Sequence, residues 1–105
     1  MKSSITLLIL AYNEEKNLEN TVHTCDSVAK ELFDDYELLI CNDGSTDRTG
    51  EIAKRLITEN PKIRVFHNKK NMGIGYSYYR GVKLAQKEYT MLVTGDNEVK
   101  AGSIK

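Results

Sequence analysis

Several common classes of protein are closed to this 105-residue chain by what it lacks. It has no excess of either charge: 15 Lys plus Arg balance 15 Asp plus Glu, and the basic residues are scattered. That excludes the phosphate-backbone affinity of a nucleic-acid binder, so no nucleic-acid partner is expected. Its longest apolar run, Ile5 to Ala11 with Thr6 inside it, is far too short to span a bilayer. No basic segment with a small-residue cleavage site surrounds that run, so the chain reads as soluble and cytoplasmic. Cysteine is scarce too. Cys25 and Cys41 form no CxxC pair and have no matching His cluster, the pattern of two buried, reduced thiols. There is no GxxxxGK[ST] phosphate loop, and Gly73, Gly75 and Gly81 neither fit GxGxxG nor open the first strand-to-helix turn. Internal repeats and low-complexity linkers are absent. The length allows one domain, residues 1–105, and excludes a large two-lobed enzyme unless the chain is a fragment.

What is present alternates. Residues 5–12, "ITLLILAY", form a continuous apolar run suited to a strand buried on both faces. Leu18, Val22, Cys25, Val28, Ala29 and Leu32 then recur at spacings of three and four, one face of a helix. "YELLIC" (36–41) is a second strand. Ile52, Ala53, Leu56 and Ile57 mark a second helix, which Asn60-Pro61 ends. "IRVFH" (63–67) reads as a third strand, "GYSYYRGVKLAQ" (75–86) as a weaker helix, and "YTMLV" (89–93) as a fourth strand. A loop follows, with the first turn of another helix from about Ala101. Strands alternating with helices predict an α/β fold: a doubly wound, mainly parallel sheet with right-handed crossovers and helices on both faces.

In such a sheet ligands bind beyond the carboxyl ends of the strands, where strand order reverses. Every segment there is polar: Tyr12 to Glu15; Asn42, Asp43, Gly44, Ser45 and Asp47; Asn68 to Asn71 with Gly73; Thr94 to Glu98. Any one of these is ordinary turn and cap chemistry. Four on one edge point to a site, and two acids on separate strands, Asp43 and Asp96, suit a nucleoside diphosphate bound through a metal.

"LILAYNEEKNL", "LLICNDGSTDRT", "NKKNMGIGYSYYRGVKLA" and "YTMLVTGDNE" resemble, in order, the consecutive motifs of the family 2 glycosyltransferases with the GT-A fold, most of all the branch of polyprenyl-phosphate sugar transferases. The resemblance runs from Ile5 to about Ile104. It implies that Ala11, Tyr12, Asn13 and Glu14 line a base and ribose pocket, and that Asp43 contacts the nucleobase. It places Asn71, Gly73, Gly75 and Gly95 beside the donor and Asp96 on Mg²⁺ or Mn²⁺. The implied donor is a UDP- or GDP-sugar and the implied acceptor a lipid phosphate or a glycan, in cell wall or polysaccharide biosynthesis. Transfer would be inverting. A polyprenyl-phosphate acceptor would set the full-length protein at the inner membrane face.

The chain departs from the family pattern at Asn42 and Thr94, each in place of an acid, and at the bulky Tyr76, Tyr78 and Tyr79. Family members continue into a second half that carries the acceptor site and the general base, so the resemblance implies a truncated donor-binding half that transfers nothing alone. Two other readings stand beside it. One is a non-catalytic nucleotide-binding or regulatory remnant of the same fold; the other, a nucleotidyltransferase, is disfavoured because Tyr12-Asn13-Glu14 occupies the place of a Gly-rich loop. Glu14 and Glu15 also suit the first turn of a helix, where acids complement its dipole. Lys69 and Lys70 suit either a diphosphate or, as paired loop lysines more often do, plain solvation, and Arg80 shares that ambiguity; His23 is read as a surface residue and His67 as lacking a partner.

Overall fold

The computed structural model describes residues 3–94. Gly95, Asp96, Glu98 and the helical turn expected near Ala101 lie outside them. The order is β1 (Ser4–Ala11), α1 (Leu18–Leu32), β2 (Asp35–Asp43), α2 (Thr49–Glu59), β3 (Ile63–Asn68), α3 (Ile74–Leu84) and β4 (Tyr89–Thr94). All strand pairs are parallel and the sheet order is β3-β2-β1-β4. The chain therefore steps outward from β1 through β2 to β3, then returns to the other side of β1. The reversal sits between β1 and β4.

Alternation along the central strands divides the core. Ile5, Leu7 and Ile9 of β1, with Leu38 and Ile40 of β2, pack beneath α1 and α2 against Leu18, Val22, Cys25, Ala29, Ala53 and Leu56. Leu8, Leu10, Leu39, Cys41 and Phe66 face the opposite way, toward α3 and its Leu84. The expected doubly wound arrangement is met, with helices on both faces. Among the described residues no helix is long and apolar enough to cross a membrane.

Three expectations shift. Val28 and Leu32 are 48% and 65% exposed rather than core. Α1 lies over β1 and β2, so these two border an apolar groove with Met91 and Val93 beside β4. Glu14 and Glu15 precede α1: the Glu14 carbonyl accepts from the Asn17 and Leu18 N–H groups in the turn that leads into the helix. Strands β2 and β3 run further than their apolar residues, because the parallel ladder continues through the Asn42–His67 and Asp43–Asn68 pairs.

Candidate functional site

That extension decides where the polar residues point. Asp43 falls in phase with Leu39 and Cys41 and faces α3; Asn42 falls in phase with Ile40 and faces the other way. Asn42 thereby leaves the cleft at the strand tips. Its Oδ1 accepts from the Ser45 N–H at 3.3 Å, and its Nδ2 lies 3.0 Å from Nδ1 of His67, the neighbour that reading the sequence did not find. With the Asn42 amide donating, that ring nitrogen carries no proton. Burial, then Lys54 and Arg80, hold the His67 pKa below its ordinary value. The missing charge at position 42 thus bears on β3 and His67 rather than on the cleft lining.

Asp43 is 6% exposed and accepts four hydrogen bonds from amides and N–H groups of the described residues. Oδ1 takes the Asn68 amide and the Met72 N–H, both at 2.8 Å; Oδ2 takes the Asn71 amide at 3.1 Å and the Gly73 N–H at 3.0 Å. Burial alone would raise its pKa, but Met72, Asn68, Gly73 and Ser77 outweigh it and hold the carboxyl below its ordinary range. Asp43 fastens the 71–73 loop and the start of α3. Gly73 is the residue at which that loop enters α3, and its φ of 89° is a backbone that side chains disfavour. Gly44, at φ 71°, allows a second approach: a Cβ there would stand 2.2 Å from the Lys70 carbonyl carbon.

The β1–α1 loop is held as firmly, by a residue read as pocket lining. Asn13 adopts φ 53°, and its Oδ1 accepts from the Thr46 N–H at 2.8 Å and the Asp47 N–H at 3.4 Å. Ser45 Oγ accepts from the Asn13 N–H, and Thr49 Oγ1 from the Glu14 N–H. Asn13 ties the loop after β1 to the loop after β2.

At the β1/β4 reversal a cleft of about 320 Å³ opens, lined by Leu10, Ala11, Tyr12, Glu14, Asp43, Asn71, Gly73, Ile74 and Thr94. Six residues singled out from sequence meet there: Ala11, Tyr12, Glu14, Asp43, Asn71 and Gly73. Asn13 and Gly75 do not line it. Glu14 is the less committed carboxylate, with a single side-chain hydrogen bond among the described residues, from Asn17 at 3.2 Å. With both Asp43 oxygens engaged, Glu14 is the carboxylate of the described lining open to a hard divalent cation, which takes oxygen ligands.

Reading the sequence missed the support behind Asp43. Asn68, 6% exposed, donates to Asp43 and to Ser77 Oγ at 2.9 Å and accepts from Arg80 at 2.8 Å. Its phase with Phe66 on β3 is the signal that could have placed it under α3. Elsewhere, Glu19, His23 and Glu59 bring potential metal-binding atoms within 4.8 Å of one another. Arg55 already pairs with both carboxylates, at 2.7 and 2.8 Å.

Residues 6–105 match the family model described as glycosyl transferase family 2. A dolichyl-phosphate beta-glucosyltransferase, ALG5C of Trichomonas vaginalis, is 33% identical over 100 residues, 90% of this chain and 30% of its own length. Among solved structures, S. aureus TarS 1-349 in complex with UDP-GlcNAc matches with a TM-score of 0.73 and 26% identity, over 91% of this chain and 27% of that one. A mannosyltransferase of Pyrobaculum calidifontis, in complex with GDP-Man and Mn²⁺, reaches a TM-score of 0.79 at 18% identity, a likeness of fold, over 91% of this chain and 28% of that one. The chain spans about a third or less of the length of the curated relatives it matches, 34% and 26% of the first two.

Proposed function

The chain belongs to glycosyl transferase family 2, and from that premise we propose that it forms the donor-binding half of a transferase that moves a sugar from a UDP- or GDP-sugar to an acceptor. The observation that carries the reading is the cleft at the β1/β4 reversal, where Ala11, Tyr12, Glu14, Asp43, Asn71 and Gly73 converge. The nucleoside lies against Ala11, Tyr12 and the 71–73 loop. Both Asp43 oxygens already accept two hydrogen bonds each. Asp43 therefore reaches the base only by exchanging the Asn71 amide, the longest of the four, for a donor on the base.

Asp96, two residues along the chain from the cleft's Thr94 and adjacent to Gly95, is the residue that would hold Mg²⁺ or Mn²⁺, with Glu14 the less committed carboxylate of the described lining. When bound, the cation neutralises charge on the diphosphate leaving group. Displacement is direct and inverting, and the general base and acceptor site belong to the further length that the relatives have. The acceptor is a lipid phosphate, a choice supported by the likeness to a dolichyl-phosphate glucosyltransferase; with that acceptor the whole protein works at the inner membrane face. Thr94, in place of an acid, favours a second reading: a binding remnant that takes nucleotide without metal.

Calorimetric titration with UDP and with GDP, each with and without Mn²⁺, separates the two. The expected result is one nucleotide bound at least tenfold more tightly with Mn²⁺, the enhancement being lost in Asp96→Ala. Metal-independent binding favours the remnant, and no binding of either nucleotide by a protein of full family length overturns both.

A further inference from the structure

Met72 of the 71–73 loop borders a second, larger opening of about 770 Å³, lined also by His67, Asn68, Lys69, Lys70, Tyr76 and Arg80. Among the described residues no carboxylate lines it, although the chain as a whole is electrically balanced. Lys69 and Lys70 stand exposed at its rim, and Lys54 lies close enough to depress the His67 pKa together with Arg80.

Arg80 is the informative member. It is half-buried, its guanidinium lies 5.0 Å from the Phe66 ring centroid, and NH1 donates to the His67 carbonyl at 2.9 Å and to Asn68 Oδ1 at 2.8 Å. Both acceptors are neutral, so its charge has no direct carboxylate partner among the described residues. The nearest acid along this chain of contacts is Asp43, on the other side of Asn68, and its oxygens are already taken. One guanidinium nitrogen is thus fixed while Nε and NH2 keep donors to spend. A rigid arginine beside two free lysines suits a tetrahedral, multiply charged oxyanion.

We propose that this opening is a second anion site, distinct from the donor cleft, that takes a phosphate group carried either by a small molecule or by a lipid headgroup. Arg80 supplies the oriented contact and Lys69 and Lys70 the attraction, which weakens as salt rises.

Amide and arginine-side-chain NMR tests this with two probes: inorganic phosphate, and phosphatidylcholine vesicles with or without phosphatidic acid. Saturable shifts at His67, Lys69, Lys70 and Arg80 are expected with at least one phosphate-bearing probe. Response to inorganic phosphate identifies a free-phosphate site; response to phosphatidic acid vesicles alone identifies a headgroup site. The exposed double variant Lys69→Gln/Lys70→Gln, which leaves the Arg80 anchorage intact, should weaken binding at least fivefold with the remaining spectrum unchanged. Arg80→Lys should weaken it further. The proposal is overturned if neither probe shifts these residues, if the double variant binds as well as the parent, or if the phosphate-induced shifts fall on Ala11, Tyr12 and Gly73 instead, which would place the phosphate in the donor cleft.

Discussion

Strand β2 carries two buried carboxylates on the same face, Glu37 near its start and Asp43 at its end, and they are stabilised in opposite ways. Glu37, 4% exposed, accepts from the Thr6 hydroxyl at 2.7 Å and the Gln86 N–H at 2.8 Å, and pairs with Arg64 at 2.8 Å. Among the described residues Asp43 has no cation in contact, only amides, N–H groups and the Ser77 hydroxyl. The difference follows from α3, which lies between them. Asp43 meets the amino end of that helix, where free N–H groups favour a negative charge; Glu37 meets its carboxyl end, where the helix field opposes one. Arg64 corrects the second case by bridging Glu37 and the Leu84 carbonyl. One end is a closed ion pair, and the other is a negative charge held by dipoles at the wall of a cleft.

The sharpest way to break this comparison is to remove one acid at a time. Glu37→Ala strands Arg64 and the Gln86 N–H, and should cost about 3 kcal/mol, in the lower part of the range for breaking a buried pair because Arg64 is partly solvated. Chemical denaturation measures it, and nucleotide affinity of the folded fraction should stay within twofold. Asp43→Asn replaces one acceptor by a donor that faces N–H groups. It should cost about 2 kcal/mol and, unlike the first variant, weaken nucleotide binding at least tenfold. Equal effects of the two variants on binding would mean that the ends of α3 are not functionally distinct.

Acid titration gives the smallest effect. Burial favours the protonated form of both acids, but their hydrogen bonds prevail, and the folded-state pKa values lie below the ordinary ones. The stability they contribute is therefore complete above about pH 4 and lost as pH falls through the folded values. His67, whose folded pKa is also lowered, adds a shallow decline that begins as pH drops below about 6.5. Asp43→Asn should flatten the acid limb and leave the shallow part in place, as denaturation midpoints measured from pH 3 to pH 8 would show.

The strands, both layers of helices and most of the cleft were legible because apolar periodicity and parallel topology determine them. Glu37 was not, since one acid inside "YELLIC" does not disturb an apolar run, and its partners Thr6, Arg64 and Gln86 are distant in sequence. Asn13 was placed in the right loop, but its work is to bind the next loop, a fact of side-chain geometry. Asn42 and Asp43 separated only once β2 proved to include them, because alternation assigns faces only within a strand.

The two thiols noted at the outset sit in different layers, Cys25 on the buried face of α1 and Cys41 on β2 toward α3, at 4% and 0% exposure. Burial pushes each up to about 11, so neither reacts while the fold is closed. Each becomes available to a thiol reagent only when its own side of the sheet opens. Without any engineered label, the native chain therefore keeps separate clocks for its two faces, and a donor that tightens the α3 side should slow the clock at Cys41 more than the one at Cys25.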